Sequence, residues 1–151
     1  MKKVVCVADF HIGFKSANYD NIHAILDRIE EQKDDIEILV LNGDIIDLWR
    51  CQYKKIRENP IYNDAFEHLQ KVTNIVSRNI FIAGNHDTLA HEIINDDLNV
   101  EYKRMFIHEN ICYIHGDQFS PIQIESFFAL ITKRFSFIGR HVNYGSAYIS
   151  K

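Results

Sequence analysis

The chain has 151 residues and a mass of 17.7 kDa, which predicts one domain with one sizeable core and excludes two independent ones. Its 46% hydrophobic and 25% charged residues, with six Gly and two Pro, exclude a disordered or fibrous protein. The formal net charge of −4 divides into −7 over residues 1–120 and +3 over residues 121–151, so the larger part is not a general nucleic-acid surface.

No apolar run approaches the ~20 residues that span a bilayer, and the stretch Val4 to Ala8 is cut off by Asp9, so neither a signal peptide nor a membrane helix is expected. Cys6, Cys51 and Cys112 form no C-x-x-C pair. This predicts no disulfide framework and a reducing, cytoplasmic setting, with Cys6 and Cys112 buried in strands.

In chain order, Lys2 to Ala8 reads as a strand, Tyr19 to Lys33 as a helix with Ile22, Ile25, Leu26 and Ile29 on one face, and Ile36 to Leu41 as a second strand. Tyr62, Ala65, Phe66, Leu69, Val72 and Val76 mark a second amphipathic helix, and Asn79 to Ala83 a third buried strand. This βαβαβ order implies an α/β fold with a largely parallel sheet covered on both faces and a ligand site outside the carboxyl ends of its strands. Tyr102 to His108 and Ile111 to His115 read as a hairpin turning at Glu109-Asn110 and returning to the same sheet. From Pro121 a helix is expected, with Ile124, Phe127, Phe128, Ile131 and Phe135 on one stripe.

Four strand ends carry Asp9-Phe10-His11, Asn42-Gly43-Asp44 with Asp47, Gly84-Asn85-His86-Asp87, and His115-Gly116-Asp117. Each alone fits a turn or a helix cap. Together, at one sheet edge, they collect carboxylate, imidazole and amide donors. Asp9 and His11, two residues apart, can face one ion; Asp44 has two oxygens with which to bridge two ions; Asn85 and His115 add an oxygen and a nitrogen. Mixed O and N donors without thiolate suit Mn²⁺, Fe or Zn²⁺ better than Ca²⁺ or copper. Two cations ~4 Å apart can activate a bridging water and neutralise phosphoryl charge, the chemistry of phosphoester or phosphoanhydride hydrolysis. His86, beside a ligand, suits a proton donor to the leaving oxygen, kept charged and oriented by a carboxylate.

These blocks, Asp9-x-His11, Gly43-Asp44-x-x-Asp47, Gly84-Asn85-His86-Asp87 and His115, resemble the calcineurin-like metallophosphoesterase superfamily. The resemblance implies a layered α/β/β/α sandwich and two divalent ions, Mn²⁺ first among them with Fe, Zn²⁺ or Mg²⁺ as alternatives. It places Asp9 and His11 on one ion, Asp44 between the two, Asn85 and His115 on the other, and His86 as an acid oriented by Asp47. Within the superfamily, Gly43-Asp44-Ile45-Ile46-Asp47-Leu48-Trp49-Arg50 and Ile114-His115-Gly116-Asp117-Gln118-Phe119 resemble the UDP-2,3-diacylglucosamine pyrophosphatase-like branch, whose best-known members carry Arg where this chain has His86. That branch implies hydrolysis of a UDP-sugar lipid to UMP and a lipid sugar phosphate in lipid A synthesis, with Trp49 and Arg50 as substrate contacts.

The superfamily's final G-H-x-H block has no counterpart before Lys151, and His141 does not match it. The expectation is a single metallophosphoesterase domain over 1–151, with a catalytic core at 1–120 and the start of a helical cap at 121–151, incomplete at its C-terminus. Residues 121–151 hold six aromatics interleaved with Lys133, Arg134 and Arg140, which suits either a packed helix or a basic, apolar cap on the inner face of a membrane. Lys54, Lys55 and Arg57 form either a solvated face or a diphosphate contact. The expected partner is a phosphate-containing small molecule or lipid-linked nucleotide. Nucleic acid is disfavoured by the acidic 1–120 segment. A generic phosphodiesterase or nuclease of the superfamily, and a binding module with a decayed site, are the alternatives.

Overall fold

The computed structural model describes residues 2–94 and 96–119. The helix expected from Pro121 and the aromatic, basic stretch 121–151, with His141, lie outside the described residues.

Strands β1 (Lys3–Val7), β2 (Ile36–Asn42) and β3 (Asn79–Ile82) alternate with helices α1 (Tyr19–Glu31), α2 (Tyr53–Glu58) and α3 (Pro60–Ile75). A short α4 (Ala90–Ile93) leads into β4 (Glu101–Lys103), and a hairpin of β5 (Phe106–His108) and β6 (Ile111–Tyr113) follows. The four strands β1-β2-β3-β4 form one sheet in that order, and every neighbouring pair is parallel.

Local sequence explains the helices. The Asn18 side chain caps α1 by accepting from the Asn21 N–H at 3.1 Å. In α3, Asn59 accepts from Ile61 and Tyr62, and Pro60 takes the first helical position, where no N–H is needed. Ile25, expected on the apolar face of α1, is exposed, but most of the apolar stripe expected on each helix is buried: Ile22, Leu26 and Ile29 in α1, and Ala65, Phe66, Leu69 and Val72 in α3. They cover one face of the sheet, meeting Leu39, Leu41 and Phe81 with Val5 and Val7. Each large side chain removed from water there contributes roughly 1.5–3 kcal/mol. Strand alternation sends Ile38, Val40, Ile80 and Ile82 to the opposite face, where Phe106 and Tyr113 of the hairpin pack. A helical layer, a parallel sheet and a small antiparallel layer are thus stacked in that order.

The hairpin differs from expectation. Its turn falls at Glu109-Asn110, with Glu109 left-handed at φ 52°, but among the described residues β5 and β6 pair only with each other, in a separate two-stranded sheet. The apolar run expected as one strand from Tyr102 is split: Glu101–Lys103 continues the parallel sheet beside β3, and Phe106 folds over to cap the sheet's face. The physical reason is that Ile38, Val40, Ile80 and Ile82 need an apolar cover on the face away from the helices.

Cys6 and Cys112, expected to be buried, are exposed, whereas Cys51 is buried. Cys6 sits on β1, which among the described residues has a hydrogen-bonded neighbour on one side only. Cys112 lies opposite Ile107 in the hairpin, and Ile107 is 60% exposed. Among the described residues, no helix is long and apolar enough to cross a membrane.

Candidate metal centre

The parallel sheet brings the ends of β1, β2 and β3 to one edge, and backbone hydrogen bonds then lace the loops that follow. Asp9 N–H donates to Gly43 O at 3.1 Å, His11 N–H to Asp44 O at 2.9 Å, and Asp47 N–H to Ile12 O at 2.8 Å. The third loop joins through Trp49 N–H to His86 O at 3.1 Å and His86 N–H to Asp44 Oδ1 at 2.9 Å. Asp9, His11 and Asp44 all have left-handed backbones, with φ of 59°, 51° and 54°. Non-glycine residues hold such conformations, at about 1–3 kcal/mol each, only where surrounding structure over-determines them.

Two glycines leave space that the site requires. A Cβ on Gly43, which also has φ +82°, would fall 2.1 Å from His115 Nδ1, and a Cβ on Gly84 would fall 2.3 Å from Asp44 Oδ1. Both glycines therefore allow backbone to approach the His115 and Asp44 side chains more closely than any side chain permits.

Asp44 is the centre of the constellation. Three imidazole Nε2 atoms converge on its Oδ2, from His11 at 3.8 Å, His86 at 4.0 Å and His115 at 3.7 Å. Metal–ligand bonds of ~2.0–2.2 Å set two ligands of one ion roughly 3–4 Å apart, so these separations fit a cation among the groups. Among the described residues, His11, Asp44 and His86 form a group whose ligand atoms all lie within 4.8 Å of one another. The tautomers agree with this reading. His115 Nδ1–H donates to the Asn42 carbonyl at 3.1 Å, which leaves Nε2 as a lone pair aimed at Asp44.

Asp47 is fully buried between two of these rings. Its Oδ1 lies 3.2 Å from His86 Nδ1, and its Oδ2 lies 3.5 Å from His11 Nδ1. Burial alone would push the Asp47 carboxyl up, but hydrogen bonding from His11 and His86 outweighs it and holds the carboxyl well below the usual range. The same Asp47 contact raises His11, against the desolvation of the ring.

Asp87 is also fully buried and serves the loops. Its Oδ2 accepts from the N–H groups of Ile45 at 2.7 Å and Ile46 at 3.3 Å, and its Oδ1 from Gly84 N–H at 2.6 Å. Burial pushes its carboxyl up to about 6 despite these three donors. Asp87 lies in a block legible in the sequence, but its role as the stitch between the second and third loops needed the folded chain.

The structure brings together Asp9, His11, Asp44, Asp47, His86 and His115. Asp9, at the solvent side, reaches 3.9 Å from His11 Nε2. Asn85 lies between Gly84 and His86, the two residues that contact Asp44 and Asp87. Of the two expected substrate contacts, Trp49 packs its ring on His86 at 4.7 Å between centroids, and the Arg50 guanidinium bonds Asp47 at 2.8 Å. Asp117 follows His115, and burial raises its carboxyl.

A search of curated proteins finds no match to the chain. A family model does match: the calcineurin-like phosphoesterase model covers residues 2–143 and so takes in all four strand-end blocks. With that coverage, and with a parallel sheet whose strand ends gather the donors expected of a metal-dependent phosphoester hydrolase, the chain belongs to the calcineurin-like phosphoesterase family.

Proposed function

We propose that this protein is a two-metal phosphohydrolase that cleaves the diphosphate of a lipid-linked sugar nucleotide such as a UDP-sugar lipid, with Mn²⁺ as its metal. The observation that carries the hydrolase reading is the convergence of three imidazole Nε2 atoms on Asp44 Oδ2. Asp9, His11, Asp44, Asn85 and His115 are the residues that would hold the ions. Bound divalent ions supply Lewis acidity toward the phosphoryl oxygens and activate water for attack on phosphorus.

The chain's own residues do the rest. Asp44 presents one oxygen to the imidazoles while the His86 N–H holds the other, so the carboxylate cannot turn away. Asp47 fixes His86 through Nδ1, which leaves Nε2 as the atom that donates a proton to the leaving oxygen. Trp49 packs against the His86 ring and covers one side of it. The lipid-linked nucleotide is supported by the likeness of the segments Gly43 to Arg50 and Ile114 to Phe119 to that branch, and a basic, aromatic 121–151 suits a substrate held at a membrane surface.

The test is a Mn²⁺ titration with turnover of an aryl phosphodiester, run on wild type and Asp44→Ala. Loss of both binding and turnover in the variant is expected, and equal behaviour of the two proteins refutes the hydrolase. Substrate class is then decided by UDP-sugar lipid against single- and double-stranded DNA under the same conditions. Preference for DNA would assign the site to a nuclease instead.

A further inference from the structure

The Asp47 carboxylate has a divided duty. Its two oxygens serve two different rings, Oδ1 facing His86 and Oδ2 facing His11. A carboxylate free to rotate about its terminal bond would exchange these partners or serve one at the expense of the other. Arg50 prevents this from both ends of the group. Its backbone N–H donates to Oδ1 at 2.9 Å and its Nη1 donates to Oδ2 at 2.8 Å, so one residue grips both oxygens.

The grip is itself held. The Arg50 guanidinium lies over the Phe14 ring at 4.6 Å and within 5.9 Å of the Trp49 ring. Phe14 in turn meets the His11 ring edge-on at 6.4 Å, and Trp49 packs on His86. The side chain is 25% exposed while Asp47 is wholly buried. The guanidinium therefore closes the outer side of a carboxylate whose inner side faces the two histidines.

We propose that Arg50 is a positioning residue: by fixing the plane of the Asp47 carboxylate it aims His11 at the metal and His86 at the leaving group together. The part that concerns His86 rests on the hydrolase reading; the part that concerns His11 rests on metal binding alone. A lysine at position 50 would keep the charge but lose the planar fork, and a glutamine would keep a planar donor but lose the charge.

The test uses the full chain and two measurements that need no turnover. In calorimetric Mn²⁺ titrations, Arg50→Gln and Asp47→Asn are each expected to weaken binding about 10-fold, the scale set by loss of a group that orients a metal-bound imidazole. The double variant should be no weaker than the weaker single one, because both act through one carboxylate. Arg50→Lys should lie between wild type and Arg50→Gln. In ¹H–¹⁵N imidazole spectra of the metal-free protein, Arg50→Gln should move the His11 and His86 resonances and leave His115, whose Nδ1–H is tied to the Asn42 carbonyl. A titration of Arg50→Gln that superimposes on wild type, additive losses in the double variant, or a shift of all three histidines overturns the proposal. Wild type that binds Mn²⁺ but hydrolyses no phosphoester removes the hydrolase reading, and these two measurements still decide the role of Arg50.

Discussion

A close steric constraint on the Asp44 side of the centre is tested by Gly84→Ala. The new Cβ would stand 2.3 Å from Asp44 Oδ1, 2.7 Å from Asp44 N and 3.0 Å from Asp44 Cγ. Comfortable contact is about 3.5 Å, so Asp44 or the Gly84 loop must retreat by about 1 Å. Neither has slack: Asp44 is held at φ 54° with its Oδ1 on His86 N–H, and Gly84 N–H is held by Asp87. Overpacking of this kind costs about 1–3 kcal/mol, which the lost unfolded-state freedom of glycine offsets by less than ~1 kcal/mol. With an offset of about 0.5 kcal/mol the net is about 0.5–2.5 kcal/mol, so at roughly 3 °C per kcal/mol for a chain of this size the melting temperature should fall by ~2–8 °C. A 1 Å displacement of reacting groups costs about 100-fold in rate, so turnover should drop far more than stability. Gly116→Ala is the internal control, because a Cβ there meets nothing within 4 Å among the described residues. Melting followed by circular dichroism, with Mn²⁺ titration and phosphodiester turnover, would compare the two variants with wild type. Wild-type stability and metal affinity in Gly84→Ala, or equal damage from Gly116→Ala, would refute the steric argument.

Three further outcomes follow from the packing and the titrating groups. Burial pushes the phenols of Tyr19 and Tyr102 up to about 12, from an ordinary value near 10. The raised values mean that the folded state keeps protons the unfolded chain has released, so this contribution to stability is intact below pH 10 and disappears as pH rises through about 12. Denaturant titrations at pH 9, 10.5 and 11.5 should show a progressive fall, and a flat profile would contradict it. Asn79→Ala should cost at least about 2 kcal/mol, because the buried amide donates to the carbonyls of Thr73, Val76 and Asn99 and its loss removes that donor from all three, Thr73 keeping Asn99 Nδ2 at 3.3 Å, whereas Asn59→Ala should cost only about 1 kcal/mol by uncapping α3. Equal midpoints in urea for the two variants would count against that ranking. Chelation should abolish phosphodiester turnover, and added Mn²⁺ should restore it and raise the melting temperature in wild type but not in Asp44→Ala.

What the sequence carried by itself was everything with a short repeat or a distinctive residue type. The 3.6-residue spacing of Ile22, Leu26 and Ile29, and of Phe66, Leu69 and Val72, specifies buried helical faces whatever their neighbours are. The first three strand-end blocks were legible because a parallel sheet sends every strand's carboxyl end to one edge, so residue types far apart in the chain could be assigned to one place, while His115 arrives from the separate hairpin. Tertiary structure decided what depends on partners. The hairpin left the main sheet because the apolar face formed by Ile38, Val40, Ile80 and Ile82 needed a cover, which no local pattern in Tyr102 to His115 records. Cys6 and Cys112 proved exposed because strand alternation gives the side, whereas burial depends on what is stacked against that side. The same holds in the site: the resemblance gave Asp47 as the group that orients His86, but its contact with His11, the stitch made by Asp87 and the clamp made by Arg50 appear only in the folded chain. The Asp47–His86 and Asp87–Ile45 contacts span about 3 Å between groups some 40 residues apart, a scale on which periodicity and composition carry no information, while Arg50 grips Asp47 from three residues along the chain.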